Sequence, residues 1–346
     1  MRTSLFAALL CVCASVAHAA GSVESYGPQL ETFSYPYAVH SFSFRSQSQQ
    51  FAMAYMDVEP KGAAVGVAVL LHGKNFCGAS WEATIGSLRD AGYRVVVPDQ
   101  LGFCKSSKPL NYQYSLQQLA ANTRSLLAGL RAGRIVLIGH SMGGMLAMRF
   151  ALMYPEEVTA LALVDPLGLE DWKAKGALYR TVDERYAVEV QTTPDVLRKY
   201  QLDQYYNNRW HPEYDRWLNV LSGMYTGNGR ERYAWNQALT SDMIFTQPVV
   251  YELERIRMPT AIIIGSLDRV SPFKEAAPPD VAAQLGNYPE LARRAAKRMQ
   301  SARVVELADL GHVPQLEAPD RFNQALLQWL ASVQRESAPP PHDGEP

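Results

Sequence analysis

The chain has few cysteines and no run of basic residues, and each absence excludes a class of protein. Four cysteines occur in 346 residues, without the Cys/His spacing of a zinc site and without a glycine-rich phosphate-binding loop. No basic run is longer than a pair such as Arg293-Arg294 or Lys297-Arg298, and these two pairs are typical of a solvated helix face. With a formal net charge of -1, the sequence predicts no nucleic-acid binding, no metal site and no cofactor.

Long apolar runs are also missing, except at the N-terminus. Arg2 precedes an apolar stretch over residues 5–16, and Ala17-His18-Ala19 follows. This pattern predicts a secretory signal peptide that is cleaved after Ala19, because the stretch is too short for a comfortable transmembrane helix. We therefore expect a periplasmic or secreted protein without a stable membrane anchor after signal cleavage.

The rest of the chain alternates apolar runs with helical patterns. A composition of 47% hydrophobic and 19% charged residues leaves ample material for a core. An antiparallel hairpin is predicted over residues 37–58, and Ser115 with Gln118 has the form of a capping box at a helix start. The predicted strands are 65–71, 93–97, 135–138 and 158–164, and the helices between them are 80–91, 115–130 and 144–154. Three consecutive β-α units predict an α/β fold with a mostly parallel sheet and helices on both faces.

This alternation stops between residues 167 and 257, a stretch rich in aromatic and charged side chains that we interpret as an inserted helical cap. Strands over 259–265 and 303–307 and a final amphipathic helix over 320–331 then complete the sheet and its cover. The predicted domains are a signal peptide (1–19), a core (20–166 and 258–335), the cap (167–257) and a proline-rich disordered tail (336–346).

The pentapeptide Gly139-His140-Ser141-Met142-Gly143 joins a predicted strand to a predicted helix. That context is required of a nucleophile elbow, in which glycines let the backbone turn tightly and present the serine at the sheet edge. Ser141 is thus a candidate nucleophile. The alternative is a glycine-rich turn with an incidental serine.

A nucleophilic serine needs a base to take its proton. His312 follows the last predicted strand, so its loop should open on the same sheet edge as Ser141. His72 and His140 flank other loops at that edge, and we interpret them as supporting residues.

The acid that orients the base should also follow a strand. Asp268 comes shortly after the strand ending at Gly265, and the resulting chain order of Ser, Asp and His is that of α/β-hydrolases. Asp165, after the preceding strand, is the alternative acid.

Because of these motifs, the sequence resembles the α/β-hydrolase superfamily, in its cap-bearing serine hydrolase branch, over about residues 37–332. The resemblance rests on His72-Gly73, residues 99–106, the Ser141 pentapeptide, residues 265–268 and Gly311-His312. It implies an oxyanion hole formed by the backbone N–H groups of Lys74 and Met142. We expect the Lys74 side chain in solvent; the alternative is that it leans over the pocket with Asn75 and selects a polar or anionic acyl group.

The resemblance also bears on the two cysteines outside the predicted signal peptide. The family often has glycine at the position of Cys104, and Cys77 lies in the loop after the third strand, which neighbours the fourth strand in this fold. A Cys77–Cys104 disulfide beside the active site is therefore predicted, suited to an oxidising compartment. The alternative is two reduced thiols.

Together these features predict a serine hydrolase that cleaves a small carboxylic ester through an acyl-enzyme on Ser141. A serine at this position argues against the dehalogenases and epoxide hydrolases of the fold, which use aspartate. The alternatives are a carbon–carbon hydrolase, a non-catalytic protein that binds a small ligand, and an aminopeptidase that grips its substrate with a cap carboxylate, the candidates being Asp183, Glu184, Glu189 and Asp203. Oligomeric state is left open.

Overall fold

An eight-stranded sheet forms the centre of the protein, which a computed structural model describes over residues 24–337. Its strands are β1 Val39–Ser46, β2 Gln49–Val58, β3 Gly66–Leu71, β4 Tyr93–Pro98, β5 Ile135–His140, β6 Val158–Val164, β7 Thr260–Gly265 and β8 Ala302–Leu307. Their order is β1-β2-β4-β3-β5-β6-β7-β8. The β1-β2 and β2-β4 pairs are antiparallel and all the others are parallel. The predicted mostly parallel sheet is confirmed.

The helices lie on both faces of this sheet and in the connection between β6 and β7. They are α1 Glu82–Asp90, α2 Leu116–Gly129, α3 Met142–Met153, α4 Val182–Glu189, α5 Pro194–Gln204, α6 Asp215–Thr226, α7 Arg230–Thr246, α8 Pro279–Ala282, α9 Tyr288–Arg298, α10 Pro314–Glu317 and α11 Pro319–Ser337. Four of them, α4 to α7, form the helical cap that was predicted between the two strands. No helix among residues 24–337 is long and apolar enough to cross a membrane.

The core is divided into two apolar layers by the sheet. In β3, Val69 and Leu71 belong to the layer that α2 and α3 cover, whereas Ala68 and Leu70 belong to the layer that α1 and α11 cover. Because successive strand residues point to opposite faces, a strand covered on both sides must be apolar throughout. This explains why β3 and its neighbours are continuous apolar runs.

Two of the differences from the sequence predictions concern the ends of helices. The Ser115 hydroxyl accepts the Gln118 N–H at 3.0 Å, but the Gln118 side chain donates to Asn122 at 3.1 Å. The capping box is therefore only half formed, because the Gln118 side chain bonds Asn122 instead of the Ser115 backbone. The last helix extends to Ser337, two residues into the segment predicted as a tail; the remainder of that tail and the predicted signal peptide lie outside the described residues.

Residues 24–36, which we call the N-terminal strap, pack against the cap. The Tyr26 N–H donates to the Gly223 carbonyl of α6 at 3.0 Å. A Cβ atom on Gly223 would lie 2.3 Å from the Tyr26 ring, and one on Gly227 would lie 1.6 Å from the Tyr26 carbonyl oxygen. Further along the strap, the Leu30 carbonyl accepts from Lys105 Nζ at 2.6 Å. The strap thus links the cap to the loop after β4.

Candidate active site

Ser141 lies in a sharp turn between β5 and α3. Its backbone has φ +55° and ψ -118°, a conformation that is strained for a residue with a side chain and typical of a nucleophile elbow. A Cβ atom on Gly139 would lie 2.2 Å from the Gly143 carbonyl oxygen, and one on Gly143 would lie 2.3 Å from the Leu71 carbonyl oxygen. Both glycines are needed because the turn is packed against itself and against β3.

The three residues proposed for the chemistry are joined by hydrogen bonds. Ser141 Oγ lies 3.0 Å from His312 Nε2, and His312 Nδ1 lies 3.0 Å from Asp268 Oδ2. All three side chains are buried. With Nδ1 donating to the carboxylate, Nε2 is free to accept the serine proton, which is the arrangement that activates a hydroxyl.

The backbone of His312 is fixed from two sides. Its N–H donates to the Tyr205 carbonyl at 3.1 Å, at the end of cap helix α5. Its own carbonyl accepts the Nε2–H of His140 at 2.8 Å. The cap and the nucleophile elbow therefore both set the position of the imidazole.

Glu317 holds the residues on either side of His312. Its carboxylate accepts the N–H of Gly311 at 2.8 Å and that of Val313 at 3.3 Å. Burial raises the pKa of Glu317 to about 7, although both backbone hydrogen bonds act in the opposite direction. A single carboxylate thus bridges the loop that carries the base.

His72 and His140 are buried beside the site, where we predicted supporting residues. The Gln100 N–H donates to His72 Nε2 at 3.0 Å, which leaves His72 Nδ1 to donate to the Gly73 carbonyl at 2.8 Å. Burial lowers the pKa of His72 and lowers that of His140 well below its usual range. Both rings are therefore neutral donors that hold backbone in place.

The alternative acid, Asp165, has a different partner. Its Oδ1 accepts the Gly265 N–H at 2.9 Å, whereas Asp268 contacts His312. Burial and then the neighbouring Asp268 raise the pKa of Asp165 well above its usual range. The structure thus brings both candidate acids to the base and gives the hydrogen bond to Asp268.

The loop after β3 runs directly against Ser141. A Cβ atom on Gly73 would lie 3.2 Å from Ser141 Cβ, so the next residue, Lys74, begins beside the serine. Within residues 24–337, no hydrogen bond occupies the backbone N–H of Lys74 or that of Met142. Both amides are available to an incoming ligand, and their role as the oxyanion hole stays a prediction.

The Lys74 side chain is not in solvent, and that expectation is wrong. Lys74 Nζ pairs with Glu189 of α4 at 3.0 Å, and each side chain is 18% exposed. The other Glu189 oxygen accepts the Tyr225 hydroxyl. The neighbouring Asn75 donates to the Tyr205 hydroxyl at 2.8 Å. The loop after β3 is thus tied to the cap by an ion pair and a hydrogen bond.

Cys77 and Cys104 form the expected disulfide, with sulfurs 2.01 Å apart. It joins the loop after β3 to the loop after β4. A narrow pocket of about 10 Å³ lies beside it, lined by Asn75, Phe76, Cys77, Cys104, Trp217, Val220, Leu221, Met224 and Tyr233. The pocket lies at the boundary between the core and the cap.

Three residues at the site were not found from the sequence as parts of the machinery. Tyr205 was one of many cap aromatics, and Glu189 one of four candidate cap carboxylates. Glu317 follows His312 by five residues, and its short distance along the chain was the only available signal. The cap residues carried no such signal, because their partners lie in distant parts of the chain.

A serine in a strained strand-turn-helix elbow, hydrogen-bonded to a histidine and an aspartate at one sheet edge beneath a helical cap, defines the class of α/β-hydrolases. The profile of the alpha/beta hydrolase family matches residues 68–325. That match spans more than half of the chain, and the chain belongs to this family.

Individual relatives cover most of the chain. A solved structure from Pseudomonas aeruginosa, described as a probable hydrolytic enzyme, is 56% identical with a TM-score of 0.88, covering 89% of this chain and 99% of that one. The 2-hydroxy-6-oxononadienedioate/2-hydroxy-6-oxononatrienedioate hydrolase of a Pseudomonas species is 27% identical over 77% of this chain and 88% of the relative. Lipase 1 of Psychrobacter immobilis is 25% identical over 77% and 78%.

Proposed function

We propose that the protein is a periplasmic or secreted serine hydrolase that cleaves a small carboxylic ester through an acyl-enzyme on Ser141. The observation that carries this proposal is the chain of two 3.0 Å contacts from Ser141 through His312 to Asp268. In this mechanism His312 takes the serine proton as Oγ attacks the ester carbonyl, and returns it to the leaving alcohol. A water then repeats the sequence on the acyl-enzyme.

Negative charge develops on the carbonyl oxygen during each attack. The unoccupied N–H groups of Lys74 and Met142 would stabilise it, and losing one such donor typically costs about 2.7–4 kcal/mol of transition-state stabilisation. Asp268 stabilises the imidazolium that forms on His312. These roles need no group beyond those of the chain itself.

One observation supports an ester as substrate, which is the similarity to a lipase. The similarity to a carbon–carbon hydrolase favours one second candidate, cleavage of a vinylogous diketone by the same residues.

The aminopeptidase alternative is weakened by the cap carboxylates. Asp183, Glu184 and Asp203 are exposed, and Glu189 is neutralised by Lys74. No described cap carboxylate among these four is left to grip a substrate amine at the site. A non-catalytic ligand-binding role is weakened by the intact hydrogen bonds of the three residues.

The disulfide supports a location outside the cytoplasm, since such bonds persist mainly in oxidising compartments. Fractionation of cells that express the full chain, and a variant without residues 1–19, tests this part. The full chain should be found outside the cytoplasm and the shortened chain inside it.

The catalytic part is tested with wild type and Ser141→Ala on p-nitrophenyl esters of increasing acyl length, lactones, amides and vinylogous diketones. Wild type should hydrolyse short esters best and bind a fluorophosphonate covalently. Ser141→Ala should lose about 10⁴-fold or more in kcat and all labelling, with an unchanged circular dichroism spectrum. Retained esterase activity in the purified variant contradicts the proposal, and diketone turnover alone supports the second candidate.

A further inference from the structure

Two buried carboxyl groups share the neighbourhood of one histidine. Asp165 and Asp268 are both 0% exposed, and ligand atoms of Asp165, Asp268 and His312 all lie within 4.8 Å of one another. Like charges this close in a buried site do not both ionise, so one carboxyl group keeps a proton.

Asp268 has the surroundings of a carboxylate. Its Oδ1 accepts the Val270 N–H at 2.9 Å, and its Oδ2 accepts the Nδ1–H of His312 at 3.0 Å. Both oxygens are therefore acceptors and both are satisfied. A proton on either one would remove a hydrogen bond.

Asp165 has the surroundings of a carboxylic acid. Its Oδ1 accepts the Gly265 N–H, but its Oδ2 is fully buried and meets no hydrogen-bond donor among residues 24–337. An unpaired buried carboxylate oxygen is costly, whereas a protonated oxygen there can donate to Asp268. The residue is held in place by its N–H bond to the Ile263 carbonyl and by a strained backbone with φ +39°.

We propose that Asp165 is a positioning residue whose protonated carboxyl group donates a hydrogen bond to Asp268 and so holds, and partly neutralises, the carboxylate that orients His312. This inference rests on the proposed function, because it gives Asp165 a part in the same reaction. Burial and the adjacent Asp268 raise the pKa of Asp165 well above its usual range, which favours the same protonation state.

The other titratable groups that face this pair reinforce the assignment. Glu317 of α10 raises the pKa of Asp165 further, and burial keeps Tyr288 of α9 neutral by raising its pKa well above the usual range. Burial also raises the pKa of Tyr200 of α5, and it lowers that of His140, so both stay uncharged. The remaining neighbours are Glu170, whose charge acts on Tyr288, and His312 itself. None of them supplies a permanent positive charge to Asp165.

The matched variants are Asp165→Asn and Asp165→Ala. Asparagine keeps both an acceptor for Gly265 and a donor for Asp268, so kcat/KM should stay within about threefold of wild type with the same pH profile. Alanine removes the donor, and the undiminished charge of Asp268 then makes the His312 imidazolium easier to form. The acidic limb of the kcat/KM profile should move up by roughly 0.5–1 pH unit. An unmoved limb in a folded Asp165→Ala variant, or a shifted limb in Asp165→Asn, overturns the inference.

A second comparison does not depend on Asp165→Ala folding. In Asp268→Ala, Asp165 loses the neighbouring charge that raises its pKa together with burial, and it is left as a carboxyl group within 4.8 Å of His312. The residual kcat/KM of Asp268→Ala should therefore exceed that of Asp165→Asn/Asp268→Ala by about tenfold or more. If Asp165 had only a structural role, Asp165→Asn would lower kcat/KM by the same small factor in wild type and in Asp268→Ala. That result would overturn the inference.

A third measurement separates this inference from the proposed function. Infrared difference spectra at pH 8 compare Ser141→Ala with Ser141→Ala/Asp165→Asn, and neither protein needs to turn over a substrate. A protonated carboxyl C=O band that is present only in the first protein supports the inference even if no ester is hydrolysed by wild type. Absence of that difference overturns it even if wild type is an efficient esterase.

Discussion

The ring of Tyr205 lies against the imidazole of His312, with centroids 5.3 Å apart and planes inclined by 28°. The same residue accepts the His312 N–H through its carbonyl. Tyr205 follows helix α5 of the cap, so a cap residue fixes both the backbone and the ring of the proposed base. The cap therefore holds the proposed base in position in addition to covering the site.

This contact predicts a difference between two substitutions. Tyr205→Leu removes the stacked ring and should lower kcat/KM by about tenfold, since an aromatic contact is worth roughly 0.5–1.5 kcal/mol. Tyr205→Phe keeps the ring and loses the hydroxyl contacts with Asn75 and Tyr200, and it should stay within about threefold of wild type. Steady-state kinetics on one short ester measure this difference. Equal losses of kcat/KM in both variants would contradict a role for the ring.

The ion pair of Lys74 and Glu189 predicts a change in specificity. Glu189→Gln leaves the Lys74 ammonium, on a side chain that is 18% exposed, without its counter-charge, so an ester with an anionic acyl group should bind better. KM for a hemisuccinate ester should fall about threefold or more relative to KM for an uncharged ester of equal length, in line with the modest energy of a partly exposed pair.

The matched control for that experiment is Asp183→Asn, which removes an exposed carboxylate from the same helix. The KM ratio of this variant should equal that of wild type. A fall of the same size in both variants would indicate a general effect of net charge instead of a local one.

The raised pKa of Glu317 predicts how stability changes with pH. Because its folded-state pKa of about 7 exceeds the ordinary value of 4.5, the folded protein binds this proton more tightly than the unfolded chain. The contribution of this proton to the free energy of unfolding is complete below pH 4.5 and is lost as the pH rises through 7, by about 3 kcal/mol. The variant Glu317→Gln lacks this pH-dependent contribution.

Urea denaturation of wild type and Glu317→Gln at pH 5 and pH 7.5 measures this contribution. Other groups titrate in both proteins, so the quantity to compare is the free energy of unfolding of wild type minus that of the variant. This difference should become less favourable to wild type at pH 7.5. A difference that does not change with pH would show that Glu317 titrates normally.

Loss of the disulfide should reduce stability more than activity. The bond spans 27 positions, and closure of such a loop stabilises the fold by about 3–4 kcal/mol in the chain-entropy model. Cys77→Ser/Cys104→Ser should therefore lower Tm by roughly 5 °C or more, as followed by thermal unfolding. Wild type with a reductant should match the variant, while the variant itself should be insensitive to reductant.

Much of the fold could be predicted because strands that are buried on both faces are continuous apolar runs, and each was followed by a turn signal. Ser141, Asp268 and His312 were found because parallel strands bring their carboxyl ends to one edge, whatever the distance along the chain. The contacts of Lys74 were not found. Its partner Glu189 lies 115 positions away on a cap helix, and periodicity does not determine how a cap docks on a core.

The prediction for Asp165 and Asp268 was limited for a related reason. Both follow parallel strands, so the sequence placed both near His312 without ranking their bonds. Which carboxyl group faces the imidazole depends on local backbone: Asp268 turns back to accept the Val270 N–H, whereas Asp165 is fixed on Gly265. The bond that each carboxyl group makes depends on the orientation of its side chain. The spacing of residues along the chain does not determine that orientation.

The docking of the N-terminal strap on α6 has a consequence for biosynthesis. Tyr26 leaves the ribosome early, but Gly223 and Gly227, on which it packs, follow nearly two hundred residues later. Contacts of such long range form late in folding. A nascent chain that ends before residue 223 already contains Ser141 but has neither the complete cap nor His312, so an interrupted polypeptide carries the proposed nucleophile without its proposed base.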